Sequence, residues 1–187
     1  MEWLLYMCFN FVLYSFLGWI IEEIYSFFSR GYFKEEGFLN IPFKPMYGIA
    51  MCILIFIYFR INISKSLLLL LCLVVPTIVE YISGYLLKHF FNETYWSYSN
   101  QSCNLQGFIC LKFSIYWMVL TYITLLFIQP VINKVYKNFS ALSNLLAVIL
   151  LIYILLDLVL VGVSYYKKFT KVSKSEVCEY RSIKKKI

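Results

Sequence analysis

Four carboxylates stand inside long apolar runs of this chain: Glu22, Glu23, Glu80 and Asp157. An ionisable side chain within a bilayer costs at least about 2.5–3.5 kcal/mol on insertion scales, so it marks a ligand, a proton path or a helix contact. Ser15, Trp19, Glu22 and Ser26 recur at spacings of four, three and four, which is one helical face. A polar stripe on an otherwise greasy helix points into a bundle, and carries Glu22 there. Glu23 lies about 100° round the same helix and is expected among lipid headgroups. Glu80 shares a face with Thr77 and Gly84, and Tyr81 follows it. Pro76 frees the carbonyl of Cys72 from its helical donor, which a neighbouring polar group must then satisfy. Asp157, with Tyr153 and Ser164 roughly on its face, either keeps its proton or meets water or a hydrogen-bonding partner. Gly107, Cys110, Ser114, Trp117, Thr121 and Thr124 form another stripe, which reads equally well as helix packing or as a substrate path.

Other chemistries lack their residues. No P-loop is present, so ATP is not hydrolysed through a Walker motif of this chain. The six cysteines include no CxxC and no His-spaced pair, and the only histidine, His89, reads as an interfacial polar residue. Neither a metal nor a cofactor is expected.

The elements that must position these residues follow from composition. The 187 residues are 61% hydrophobic and 14% charged, against about a quarter charged in soluble domains. Such a chain is neither soluble nor disordered, and the expected class is an all-α polytopic transmembrane bundle of about five spans. Residues 1–166 form its single membrane domain and 167–187 a basic tail. The spans are expected at Trp3–Phe28, Met46–Phe59, Leu67–Phe91, Gly107–Ile132 and Asn144–Tyr166. The second is short and must recruit part of the preceding Gly/Pro segment. Glu22 then lies about 28 Å along its helix, and Glu80 and Asp157 each about 20 Å along theirs.

The connection from Gly37 to Gly48 is rich in aromatics, glycine and proline and poor in solvating charge. It suits an interfacial or re-entrant loop, as does the one carrying Trp96, Tyr98, Ser99 and Asn104 after span three. Both connections lie on one side, which the Glu22 end of span one and the Glu80 half of span three also face. A single site there is the economical reading, with Glu22, Glu80, Asn104, Trp19, Tyr81, Tyr98 and Ser114 as candidate substrate-binding residues.

Net charge is +7. Eight basic residues follow Tyr166, and a basic tail behind an apolar run anchors to anionic lipid rather than to nucleic acid. With the C-terminus inside, thirteen Lys/Arg face the cytoplasm and four face outward; without the tail the count is five against four. The expected topology is N-terminus out, C-terminus cytoplasmic.

Phe16-Leu17-Gly18-Trp19 with Glu22, Gly37-Phe38-Leu39 through Pro45-Met46-Tyr47-Gly48, Glu80-Tyr81 with Gly84, Trp96 with Tyr98-Ser99, and Asn104 with Gly107, Ile109-Cys110-Leu111, Ser114 and Trp117 are a set of motifs in a fixed order. They resemble the bacterial membrane family described as putative ABC-transporter type IV, or CmpB-type, over about residues 11–130. The resemblance implies a permease component working with a separate ATPase. Its occurrence mostly in Gram-positive bacteria implies the plasma membrane. Glu22, Glu80 and Asn104 match the family pattern. Glu36 stands where that pattern usually has arginine, Lys88 where it has an acid, Ser97 where it has aspartate and Phe108 where it has arginine. Losing the last two together is consistent with a deleted ion pair, and an activity that needed the pair would be altered or lost here.

Three functions compete at this point. A transporter subunit explains the intramembrane carboxylates and requires an ATP-hydrolysing partner. A membrane-embedded enzyme acting on a lipid-like substrate could use the two carboxylates with Asn104, Tyr98 and Ser99, but lacks a triad or phosphate cradle. A non-catalytic sensor or immunity-type protein is the third. Partners are the lipid bilayer, the ATPase and, left open, a second copy of the chain.

Overall fold

The computed structural model describes residues 2–33, 37–61 and 63–184, with side chains as far as Thr170. Glu36 and the side chains of the basic tail beyond Thr170 lie outside the described residues. The order is α1 (Glu2–Arg30), α2 (Pro45–Arg60), α3 (Lys65–Phe91), a hairpin of β1 (Asn104–Leu105) and β2 (Ile109–Cys110), α4 (Leu111–Ile123), a π turn (Thr124–Ile128), α5 (Gln129–Asn138) and α6 (Ser140–Lys184). Four stretches are long and apolar enough to cross a membrane: Glu2–Arg30, Lys65–Phe91, Leu111–Asn138 and Ser140–Thr170. α2 is a shorter apolar helix, so about five helices make up the polytopic all-α bundle. Most large hydrophobic side chains face outward, as lipid-facing helices require.

Sequence sets the helix ends. Ser64 caps α3 by accepting the Leu67 N–H at 3.2 Å, and Asn92 closes it in the left-handed conformation, φ 53°. Lys88 and His89 occupy the last turn of α3, where the helix dipole favours positive charge. Pro45 opens α2, where no N–H is missed. Pro130 falls within the run α4–π turn–α5; it lacks an N–H and its ring crowds the preceding turn, and the widened π turn lies immediately before it.

The second crossing is built in two pieces. The Lys44 N–H donates to the Ser15 carbonyl at 2.9 Å, so the segment after α1 runs back to the middle of that helix. From Arg30 to Ser15 is about 22 Å along α1. α2 starts at that depth and runs about 24 Å to the other end, where Arg60 lies 4.4 Å over the Trp3 ring. Residues 37–44 complete the crossing as non-helical chain, which a bilayer tolerates only under protein cover. The cover is present: Leu39 and Phe43 are buried with Val12 and Ile154. Asp157 of α6 accepts the Asn40 backbone N–H at 2.8 Å and its side-chain N–H at 3.0 Å. The intramembrane aspartate thus meets a hydrogen-bonding partner. Tyr153 and Ser164, expected on its face, are exposed; Ala147, Ile154 and Val161 accompany Asp157 inward instead.

α1 and α2 cross closely. A Cβ on Gly48 would stand 2.3 Å from Ser15 Oγ and 2.5 Å from the Phe11 carbonyl, so only glycine fits. The end of the bundle near Trp3 is tied by a polar knot. Gln129, fully buried, donates to Asn10 at 2.9 Å and to Asn133 and Tyr6 at 3.0 Å, and accepts from Tyr14. The Thr121 hydroxyl donates to the Trp117 carbonyl of its own helix at 2.8 Å and lies 3.4 Å from the Cys72 carbonyl released by Pro76, a long contact at the place where the proline leaves an acceptor.

The fourth crossing starts later than expected. Gly107 to Cys110 are apolar, but Gln106 and Gly107 both have positive φ, 54° and 74°, and Phe108 N–H closes the turn on Leu105 at 3.1 Å. That is a three-residue hairpin loop between the paired Leu105 and Ile109, and the helix opens only at Leu111.

Candidate functional site

Two cavities of about 650 Å³ each open in the half of the bundle bounded by the α1–α2 and α3–α4 connections. The first is walled by the last turns of α1, the start of α2, the middle of α3, residues 95–98 with Gln101, and one side of α4 from Phe113 to Ile123. Glu22, Glu80 and Tyr98 all line it.

Glu80 is 3% exposed. Its Oε1 accepts the Tyr98 hydroxyl at 2.9 Å, while Oε2 is buried without a hydrogen-bond partner. Trp117 Nε1, in the same wall, is buried beside this carboxyl but makes no hydrogen bond of normal geometry. Burial, and then the adjacent Glu80 carboxylate, hold the Tyr98 phenol well above the usual tyrosine range, so it remains a donor at any physiological pH.

Tyr98 is placed by its loop. The Trp96 indole donates to the Phe108 carbonyl at 2.9 Å, and Tyr98 N–H to the Gly107 carbonyl at 2.8 Å. Asn104 is exposed and lies outside the cavity lining; its side chain donates to the carbonyls of Ser99 at 3.3 Å and Gln101 at 2.8 Å, and accepts from Gly107 N–H at 3.2 Å. It therefore acts on the cavity through the loop that presents Tyr98. Gly84 lets this loop settle on α3, for a Cβ there would meet Phe108 at 3.0 Å and Trp96 at 3.2 Å.

Glu22 is balanced differently. Lys44 pairs with its Oε2, and the Tyr47 hydroxyl donates to Oε1 at 2.5 Å. The start of α2 faces the same carboxylate, and the positive end of a helix dipole favours an anion there.

The other expected residues scatter. Trp19 lines the second cavity, with Glu22 and residues 37–46. Tyr81 donates to Gln106 at 3.0 Å outside both cavities, and Ser114 is buried in the α4 face among Cys110, Thr121 and Thr124. Glu23 is a correction. It is 8% exposed and lines the second cavity, because α1 packs against α2 on one side and α6 on another and so has two inward faces. Lys44 and Tyr47 were not expected as cavity groups, whereas Trp117 lay on the α4 stripe read as packing or as a substrate path. The signal for Lys44 was a lone cation in a loop otherwise poor in charge.

Aromatic rings complete the first wall. Tyr98 stacks on Phe113 with centroids 4.7 Å apart, Phe113 meets Tyr25 edge-on at 5.6 Å, and Tyr47 lies against Trp117 at 5.0 Å.

An apolar bundle of about five helices, with an acidic, aromatic-walled cavity between them, defines a polytopic helical membrane protein. Within that class, the chain belongs to the family described as putative ABC-transporter type IV, whose model matches residues 9–161. No curated protein and no solved structure matches it.

Proposed function

We propose that this chain is the permease subunit of a transporter driven by a separate ATPase, and that the cavity containing Glu80 is its substrate site. The observation that carries the reading is the Glu80 carboxyl, buried within an apolar bundle, with one oxygen left open at a cavity wall. A carboxylate so placed is costly unless something binds it. The family's description supports the transporter class. The given sequence carries no Walker motif, which supports a separate subunit as the ATPase. In this reading the protein sits in a bacterial plasma membrane, N-terminus outside and C-terminal tail cytoplasmic, with the cavity in the cytoplasmic half.

Affinity purification from native membranes in mild detergent tests it. The expected result is a stoichiometric partner with a nucleotide-binding motif and ATPase activity in the purified complex. Recovery of the chain alone, with no ATP-hydrolysing subunit under conditions that keep it folded, overturns the proposal.

A further inference from the structure

We propose that the Glu80 cavity takes a protonated organic amine with an aromatic or apolar body. The inference rests on the transport reading for its biological meaning, and on the cavity alone for its chemistry.

Charge comes first. Glu22 already has the Lys44 ammonium, the Tyr47 hydroxyl and the start of α2. Glu80 has only neutral neighbours on it, the Tyr98 hydroxyl at 2.9 Å and, without a hydrogen bond of normal geometry, the Trp117 indole, and no cation among the described residues pairs with it. Arg30 is the one basic residue among the described lining residues, and it sits in the exposed last turn of α1 at the cavity's edge. The carboxylate left to be neutralised is therefore the buried one, and what answers it must bring a positive charge and an N–H.

The wall then selects the kind of cation. A metal ion needs a cage of six or more oxygens for calcium, or octahedral geometry for magnesium. Here a single open carboxyl oxygen is set among aromatic rings instead, those of Tyr47, Tyr98, Phe113 and Trp117. Ring faces attract organic cations, and more strongly once water is excluded. They also bury the apolar part of the ligand. About 650 Å³ is within the range of small-molecule sites. The Trp117 N–H lies beside the same carboxyl and would complete the donors around it once an ammonium is seated.

The test is equilibrium dialysis of radiolabelled phenethylamine into nanodiscs of zwitterionic lipid holding the purified chain, with empty nanodiscs subtracted. Phenylacetate and ethylbenzene supply the same ring with negative and no charge. The wild-type protein should bind the amine at least tenfold more tightly than either. Glu80→Gln, with wild-type elution in gel filtration, should lose at least tenfold for the amine and nothing for ethylbenzene. If Glu80→Gln fails to fold, Glu80→Asp should weaken the amine yet keep it preferred over the anion. Equal binding of the three compounds by the wild type, or full amine binding by Glu80→Gln, overturns the proposal. So does an absence of amine binding to a protein that still purifies with its ATPase, an outcome that leaves the transport reading standing. Amine binding to a chain that never associates with an ATPase refutes the transport reading and keeps this one.

Discussion

At the scale of single residues, the cavity turns on how a buried carboxylate is held. Tyr98 donates to Glu80 at 2.9 Å, and losing a partner from a buried charged group costs about 1–3 kcal/mol or more. Tyr98→Phe should therefore lower the thermal midpoint of the detergent-solubilised protein by a measurable step. Glu80→Gln is nearly isosteric and still accepts from Tyr98, so it should leave that midpoint close to wild type. Activity should run the other way: in the purified complex Glu80→Gln abolishes substrate-stimulated ATP hydrolysis while Tyr98→Phe only reduces it. Equal effects of the two changes on stability would show Glu80 to be a helix-pairing residue. Glu22 and Glu80 were legible in the sequence because charge within an apolar run is conspicuous. Lys44 and Tyr47 were not, since they belong to a segment without periodicity whose partner lies 22 or 25 residues back. Glu23 was misplaced because a stripe analysis grants a helix one inward face, and α1 has two.

At the scale of elements, the long helices followed directly from apolar runs, and the re-entrant connection from its lack of solvating charge. The hairpin before α4 was hidden, because Phe108, Ile109 and Cys110 suit a membrane helix as well as a strand; only the positive φ at Gln106 and Gly107 separates the two. Two substitutions test the elements. Gly48→Val puts branched carbons where a single Cβ already meets Ser15 and Phe11 at 2.3–2.8 Å. Overpacking costs typically 1–3 kcal/mol, and here backbone is struck, so the variant should express poorly and aggregate in detergent. Asp157→Leu removes both acceptors from Asn40 and leaves its backbone N–H bare at membrane depth, worth about 1–3 kcal/mol. A lower thermal midpoint is expected, with slower proteolysis-resistant assembly; Asp157→Asn should be milder because one oxygen remains. A wild-type midpoint for Asp157→Leu would show that the contact does not hold the segment.

For the whole molecule, sidedness is the first question. Cys103 is exposed in the α3–α4 connection, beside the hairpin. As the sole cysteine it should resist a membrane-impermeant thiol reagent in intact cells and react once the cells are opened. Labelling from outside would invert the topology and place the cavity at the outer face. The positive-inside count could be read from sequence, but its margin came from the tail, which is why an independent reporter in a connection is needed. The clasp between Asn40 and Asp157 has another consequence, in time. It joins residues 117 apart. At about 5–20 residues per second, the ribosome takes some 6–23 s to make the second half after the first. Throughout that interval the segment 37–44 has no α6 to cover it, and its backbone cannot rest bare in lipid. The first helices must wait as a pair with this strap still at the surface, and the last helix to be synthesised draws it in. A nascent chain arrested after Asn138 should expose the strap to protease added on that side, whereas the completed chain protects it. Protection in the arrested chain would mean that the strap seats itself without α6.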